Sequence, residues 1–412
     1  MAAAALSPRR PWDGRRVVLG VTGGIAAYKS VQVARDLTRL GARVEVVLTR
    51  GAREFVAPLS FTGVTGRPAL TELFSTEGAA LHIRLGREAD CVCVAPATAD
   101  FLARAAQGRA DGLLTTTLLA TRAPVVLCPA MNDRMFSHPQ VQANLAHARD
   151  VLGYRIAGPA EGPLAVGEGE GPGRMLEPRE IVEHVGRALG EGGSLSGRRV
   201  LVTAGPTREP LDPVRYLGNR SSGRQGYALA QAAWRRGAEV TLVSGPTSLP
   251  LPVGVDGVWV ETARQMLEAA AAHIPAADVI IFAAAVADYR PAEEASAKIK
   301  REAAGAEMTL ELTANPDIAA ETRSLRRAGA LAVGFALETE DLVAHARDKM
   351  ERKGFQLMVA NPATEPDAGF GTDTNRVVLL RPGGEAEELP LLTKDQVAEE
   401  ILDRIEVLLA EA

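Results

Sequence analysis

The strongest constraint on this chain is that it begins the same winding twice. GRRVVLGVTGG, from Gly14, returns as GRRVLVTAG from Gly197, and RLGARVEVVLT, containing Gly41, returns as RRGAEVTLVSG, containing Gly237. In each copy an apolar strand meets glycines, a helix-periodic segment follows, and a second apolar strand closes the unit. In the first copy the strands read as Val17–Val21 and Val44–Leu48. This is a βαβ pattern. Further strand-like runs, ADCVCVAPAT and APVVLCPAMN, each end in a polar or proline-containing loop. Strands alternating with helices predict an α/β fold of two doubly wound, Rossmann-like domains with mainly parallel sheets. Ligands then belong outside the carboxyl ends of the strands.

The copies are offset by 183 residues at the first strand and by 196 at the end of the helix, so the second carries 13 more residues between them. The excess falls in PTREPLDPVRYLGNRSSGRQG, whose fixed turns and dense polar groups point to function. At 412 residues the chain has room for two or three domains. We expect a disordered tail over residues 1–13, a first domain over 14–189, a linker over 190–196 (GEGGSLS) and a second domain over 197–412.

Composition removes several classes of function. A net charge of −5 leaves no basic footprint for nucleic acid, and 4% aromatic residues offer few stacking platforms. No apolar run is long enough to span a bilayer, so the expected location is cytoplasmic, with neither nucleic acid nor membrane as partner. Cys91, Cys93 and Cys128 sit in apolar strand-like runs and read as packing residues. They form no CxxC or zinc-like array, and the six histidines are scattered, so no structural metal is expected.

The glycine-rich turn after the first strand is suited to a phosphate, because free backbone N–H groups face the ligand there. TGGIAA lacks the GxGxxG spacing, and the second strand ends in Thr49-Arg50 where a dinucleotide site offers an acidic residue. A mononucleotide fits better, and an NAD(P) oxidoreductase built on two dinucleotide-binding halves is set aside. His82 precedes a strand and reads either as structural or as catalytic. Asn132, in PAMNDRM, could hold a carboxylate or merely close an Asx turn. EGPLAVGEGEGPGRM (residues 161–175), with five glycines and two prolines, looks like a tether, yet carries Leu164, Val166, Arg174 and Met175.

VTGGIAAYKS, APATADFLARAAQG, PAMNDRM and GPGRMLEP, in this order, resemble the homo-oligomeric flavin-containing cysteine decarboxylases of the phosphopantothenoylcysteine decarboxylase type. The resemblance implies a flavodoxin-like half binding FMN near Gly23, Gly24, Ile25, Ser60, Ala97, Thr98 and Ala99. It implies a catalytic histidine at His82 and a substrate-carboxylate residue at Asn132. Substrate contacts would also come from Met131, Val166, Arg174 and Met175, with residues 161–175 acting as a clamp. It further implies oxidation of the substrate's cysteine part to a thioaldehyde before CO2 leaves, then re-reduction with a proton donor. The family places a cysteine of an ACG motif in the clamp, where this chain reads LAVG with Val166. Valine donates no proton, which raises an alternative in which the first half is a flavin-binding oligomerisation or regulatory module.

AGPTREPLDPVRYLGNRSSGRQG, and AAAVADYRP with its downstream KIK, resemble the phosphopantothenate–cysteine ligases. The fusion resembles the bacterial bifunctional coenzyme A biosynthesis family, whose ligase uses CTP where separate eukaryotic ligases typically use ATP. The implied nucleotide contacts are Ala284, Ala285, Asp288, Lys298, Pro316, Asp317, Ile318, Ala319, Phe335, Lys349 and Lys353. Lys349 and Lys353 lie four apart, on one face of a helix. The resemblance also places Lys298 in a flap, assigns Asn219 to the acyl-cytidylate, and gives Arg215 and Arg220 to the substrate phosphate. Mg2+ accompanies CTP, with ligands the sequence does not identify. The implied partners are 4'-phosphopantothenate, cysteine, CTP, phosphopantothenoylcysteine and further copies of the chain. Those copies would make trimeric contacts in the first half and dimeric contacts in the second, up to a dodecamer.

Overall fold

The computed structural model describes residues 10–74, 80–164, 166–167, 169–300, 308–338, 341–362 and 371–411. The chain divides into two compact units between Glu191 and Gly192.

In the first unit five parallel strands, β1 (Arg16–Val21), β2 (Arg43–Leu48), β3 (Cys91–Ala97), β4 (Val125–Pro129) and β5 (Arg155–Ile156), form a sheet in the order β2-β1-β3-β4-β5. This is the flavodoxin-like winding, whose order reverses between β1 and β3. Helices α1 (Ala27–Arg39), α2 (Pro58–Thr65), α3 (Leu81–Glu88), α4 (Ala99–Ala106), α5 (Leu113–Ala120), α6 (Asp133–Phe136), α7 (Pro139–Asp150) and α8 (Pro178–Leu189) accompany it. Sheet faces alternate with period two. Val17, Leu19, Cys91 and Cys93 join the α1 and α8 side, while Val18, Val92 and Val94 join the side of α3, α4, α5 and α7. Every residue of β3 is buried, as a central parallel strand covered on both faces requires. All three cysteines are buried free thiols, and burial pushes that of Cys91 up. An antiparallel hairpin, β6 (Ala160–Pro163) and β7 (Glu170–Arg174), precedes α8.

Residues 1–9 of the expected tail lie outside the described residues. From Arg10 the expectation of a tail fails. The Trp12 N–H donates to the Leu40 carbonyl at 3.0 Å, and the indole packs in the core at 7% exposure. The energy of burying an indole is what holds this turn down. Within the expected linker, Leu195 is fully buried in the core of the second unit.

The second unit has β8 (Arg199–Ala204), β9 (Arg208–Pro210), β10 (Tyr216–Gly218), β11 (Glu239–Ser244), β12 (Asp256–Trp259), β13 (Val279–Phe282), β14 (Tyr289–Pro291), β15 (Leu312–Ala314), β16 (Leu331–Glu338), β17 (Leu357–Pro362), β18 (Thr374–Asn375), β19 (Val378–Leu380), β20 (Glu387–Glu388) and β21 (Leu392–Thr393). Its main sheet runs β12-β11-β8-β13-β16-β17-β19-β20, parallel as far as β17 and antiparallel beyond. The six parallel strands have the Rossmann order, and the winding reverses between β8 and β13. Helices α9 (Arg224–Arg235), α10 (Ala263–His273), α11 (Ile318–Glu321), α12 (Leu342–Lys353) and α13 (Lys394–Glu411) flank it. The C-terminal α13 packs its Val397, Ile401, Leu402 and Ile405 into the core with α9. Buried Glu399 of α13 is paired with Arg235 and Arg236, and Arg236 also reaches Asp403 at 2.7 Å. Among the described residues no helix is long and apolar enough to cross a membrane.

His184 of α8 titrates abnormally low. Burial, helped by the nearby Arg155 charge, pushes its imidazole from 6.5 to about 4. Between those values the unfolded chain binds a proton that the fold refuses, so stability rises with pH across this window and is lost as pH falls toward 4. The loss for the first unit is expected to be about 3 kcal/mol. Urea unfolding at pH 7 and pH 4.5, read by Trp12 emission in a Trp234→Phe/Trp259→Phe background, should show it, and His184→Gln should flatten the dependence.

Candidate functional sites at the two switch points

In the first unit the loops leaving β1 and β3 separate, and a cleft of about 1480 Å³ opens between them. Thr22 spans its floor. Its hydroxyl donates to the Pro96 carbonyl at 2.7 Å and accepts the Thr98 N–H at 3.2 Å. Gly23 must lack a side chain, because a Cβ there would lie 2.7 Å from the Gly51 carbonyl carbon. Gly23, Gly24, Ile25, Thr98, Ala99, Met131, Asn132, Arg174 and Met175 all line the cleft. Ser60, Ala97, His82 and Val166 are not among its lining residues. Ala97 is buried in β3, and Ser60 is exposed on α2. Among the described residues, the Nδ1 of His82 is buried without a hydrogen-bond partner.

The glycine-rich stretch is the β6–β7 hairpin. Its base docks on the loop after β4: the Met131 N–H donates to the Gly173 carbonyl at 3.0 Å. Gly173 has φ +146°, and a Cβ there would sit 2.2 Å from the Met131 carbonyl oxygen. Val166 stands at the tip, wholly exposed at 105%, while Pro163 and Leu164 face the cleft. Ala165 and Glu168 lie outside the described residues. Asn132 caps α6, its Oδ1 accepting the Arg134 N–H at 3.0 Å.

Three lining cations, Lys29, Arg50 and Arg104, escaped the sequence reading as site residues. Arg50 lies two residues past β2, Arg104 lies on α4, and Lys29 lies on α1, where its side chain is 11% exposed. Lys29 Nζ donates to Glu177 at 2.9 Å and to the Met175 carbonyl at 3.4 Å, tying α1 to the hairpin's exit. The hydrogen bond from Lys29, with the Arg174 charge, holds the Glu177 carboxyl below its usual range. The signal available beforehand was Lys29 one turn into the helix that follows the glycine turn.

In the second unit the loops leaving β8 and β13 are stitched together. The Ala285 N–H donates to the Gly205 carbonyl at 2.9 Å, Ala284 N–H to Thr203 Oγ1 at 3.3 Å and Ala287 N–H to Thr207 Oγ1 at 3.0 Å. Asn219 Nδ2 donates to the carbonyls of Ala285 at 3.1 Å and Val286 at 3.0 Å, so the structure uses its amide hydrogens to hold this loop. Asn315, before Pro316, donates its backbone N–H to the Asp288 carbonyl and its Nδ2 to the Ala287 carbonyl, both at 2.8 Å. Asp317 caps α11, which begins Ile318-Ala319, and pairs with Lys353 at 2.9 Å. Burial opposes that ionisation, but Lys353 outweighs it and holds the Asp317 carboxyl below its usual value. Phe335 lies one residue past the Phe282–Gly334 strand pair, beside this edge. Lys349 is half-buried one turn before Lys353 on α12.

Lys298 is exposed, and so is Arg220, which makes no ion pair among the described residues. Arg215, expected to hold the substrate phosphate, is engaged with protein groups. It pairs with buried Asp212 through Nε at 3.0 Å and Nη2 at 2.6 Å, and Nη2 also donates to the Ile299 carbonyl at 2.6 Å. Burial alone would raise the Asp212 carboxyl, but the N–H groups of Val214, Arg215 and Ile299 and the Arg215 side chain hold it far below the usual carboxylate range. Among the described residues, no group of three His, Cys, Asp or Glu could hold a metal ion.

Residues 6–190 match the family described as Flavoprotein, and residues 195–408 match the DNA/pantothenate metabolism flavoprotein C-terminal domain. The coenzyme A biosynthesis bifunctional protein CoaBC of Vibrio vulnificus (strain YJ016) is 45% identical over 96% of this chain and 98% of its own length. Its counterpart in Mycobacterium tuberculosis (strain CDC 1551 / Oshkosh) is 46% identical over 96% of this chain and 97% of its own. The solved C-terminal domain of a CoaBC protein is 42% identical, covers 54% of this chain and 100% of that one, and superposes with a TM-score of 0.46.

Gly173→Ala should lift the hairpin off the β4 loop, at a cost of about 1–3 kcal/mol from overpacking. Amide exchange at Met131 should accelerate. Gly167→Ala, which strains the φ of +86° at the exposed tip but meets no atom within 4 Å, should leave that amide protected.

Proposed function

Since the chain belongs to the family of bifunctional coenzyme A biosynthesis proteins, with a flavoprotein half followed by its ligase half, we propose that it performs two consecutive steps. The second unit joins 4'-phosphopantothenate to cysteine with CTP, and the first decarboxylates the product to 4'-phosphopantetheine. The observation that carries this reading is the arrangement of the two switch points. One opens into a glycine-floored cleft rimmed by Asn132 and the hairpin, and the other gathers Asn219, the Ala284–Asp288 loop and the lysine helix.

In the ligase half, the carboxylate of phosphopantothenate attacks the α-phosphate of CTP, releasing pyrophosphate. The amine of cysteine then displaces CMP from the acyl-cytidylate. Lys298, Lys349 and Lys353 would offset the triphosphate charge, with Mg2+ held mainly by the nucleotide's own oxygens. The bonds from Asn219 to the Ala285 and Val286 carbonyls support a role in shaping the cytidine-side loop, with its Oδ1 turned to the intermediate. Pro316–Ala319 and Phe335 would border the base. Arg220 is the better candidate for the substrate phosphate, since Arg215 is committed to Asp212.

In the first half the cleft fits a flavin mononucleotide: Gly23 is needed bare, and Thr22, Gly24, Thr98 and Ala99 would surround its phosphate and ring. Bound FMN supplies a two-electron acceptor for the cysteine part of the substrate. Asn132, with Oδ1 fixed by the Arg134 N–H, would donate its amide hydrogens to the departing carboxylate. The hairpin, hinged at Gly173, would exclude water. Outside the lining of a single chain's cleft, His82 supports a site completed by a neighbouring copy in a trimer. With valine at 166, the proton for re-reduction comes from water or from another side chain.

Val166 at the exposed tip favours one second reading, a flavin-binding module beside an active ligase. Purified protein given phosphopantothenoylcysteine should release CO2 and form phosphopantetheine. A product two hydrogens lighter would mean re-reduction fails, and no CO2 would favour the second reading. Given CTP and phosphopantothenate without cysteine, the protein should accumulate acyl-cytidylate. Equal turnover with ATP would overturn the nucleotide assignment.

A further inference from the structure

The buried Asp212 carboxylate joins two segments that the ligase reading needs in register. Asp212 follows β9 and is 2% exposed. Its Oδ1 accepts the backbone N–H of Val214 and of Arg215, both at 2.9 Å, which shapes the turn into β10 and on to Asn219. Its Oδ2 accepts Arg215 Nε at 3.0 Å, Nη2 at 2.6 Å and, from far along the chain, the Ile299 N–H at 3.1 Å. Arg215 Nη2 then donates to the Ile299 carbonyl at 2.6 Å. Both backbone groups of Ile299 are therefore held, one by the carboxylate and one by the guanidinium paired with it. A further bond, Ala295 N–H to the Leu211 carbonyl at 3.1 Å, runs alongside. The residues flanking Ile299, Lys298 and Lys300, are exposed and make no ion pair among the described residues.

A surface lysine without a partner has its reach set by its backbone alone, because its four-carbon stem is free. Here the backbone is fixed by charge-assisted hydrogen bonds to a carboxylate whose acceptor positions are filled by the protein. We propose that Asp212, acting through Arg215, is a positioning residue for ligation. It anchors Ile299, and with it Lys298, at a set place relative to the β9–β10 turn, from which the chain runs through β10 to Asn219. This rests on the reading of Lys298 as a nucleotide-contacting lysine. It gives Arg215 a structural partner in place of a substrate phosphate.

Asp212→Asn keeps the size of the side chain but replaces an acceptor with a donor facing Ile299 N–H or Arg215. The expected result is ligation at least about tenfold slower, with a raised KM for CTP, because a displaced contact loses effective concentration. Amide exchange at Ile299 should accelerate while the far-UV spectrum stays unchanged. Arg215→Lys, which keeps the charge but loses the fork, should fall between the wild type and Asp212→Asn. A double-mutant cycle with Lys298→Gln separates positioning from general structural support. If Asp212 acts through Lys298, then Asp212→Asn costs little more in the Lys298→Gln background. Multiplying penalties, or wild-type ligation by Asp212→Asn, would overturn the inference. Wild-type ligation by Lys298→Gln alone would instead remove the lysine reading beneath it, and the single variant identifies that failure.

Discussion

Everything in this chain depends on the splitting of two parallel sheets at their carboxyl edges. Where the winding reverses, neighbouring strands send their loops in opposite directions, and backbone groups lose the partners a ladder would supply. Threonine hydroxyls meet that shortage in both halves. Thr22 spans β1 and β3, while Thr203 and Thr207 serve the N–H groups of Ala284 and Ala287 across β8 and β13. The two solutions then diverge. Bare glycines beside Thr22 leave a cleft, whereas the second edge is closed by backbone bonds and by the Asn219 amide.

Buried charge is used in the same way throughout, to fix loops and helices rather than to add bulk stability. Asp212 gathers a turn and the Ile299 segment, Asp278 joins the Arg199 N–H to Arg198 and Arg327, and Glu399 docks the last helix on Arg235 and Arg236. Each carboxylate accepts several donors, which offsets the cost of removing it from water. The gain is positional, because removing one partner leaves a charge stranded. These three carboxylates all hold sequence-distant groups.

Much of the fold was legible in the residues. The repeated GRR strand, the wholly apolar CVCVAPA and the glycine turns required wound parallel sheets. The family motifs led to Gly23, Asn132 and Met175, which do meet in one cleft. The repeat is silent on one point, for the similar first units continue into different strand orders. Order depends on which edge each later strand joins, and a βαβ pattern carries no mark of that choice. The length difference between the copies did locate the β9–β10 loop. It could not show that Arg215 turns inward to Asp212, because arginine suits a phosphate and a carboxylate equally well.

The sequence by itself determined the two wound halves, the families they belong to and the valine where a thiol is expected. Those follow from period, spacing and residue type, which are local properties of the chain. Tertiary structure alone decided that the glycine-rich stretch is a docked hairpin with Val166 at its exposed tip. It also kept His82 and Ser60 out of the cleft lining and paired Arg215 with Asp212. The physical reason is that a side chain's role depends on which donors and acceptors the fold brings within about 3 Å of it. Asp212 and Ile299 stand 87 residues apart along the chain, and only folding makes them neighbours.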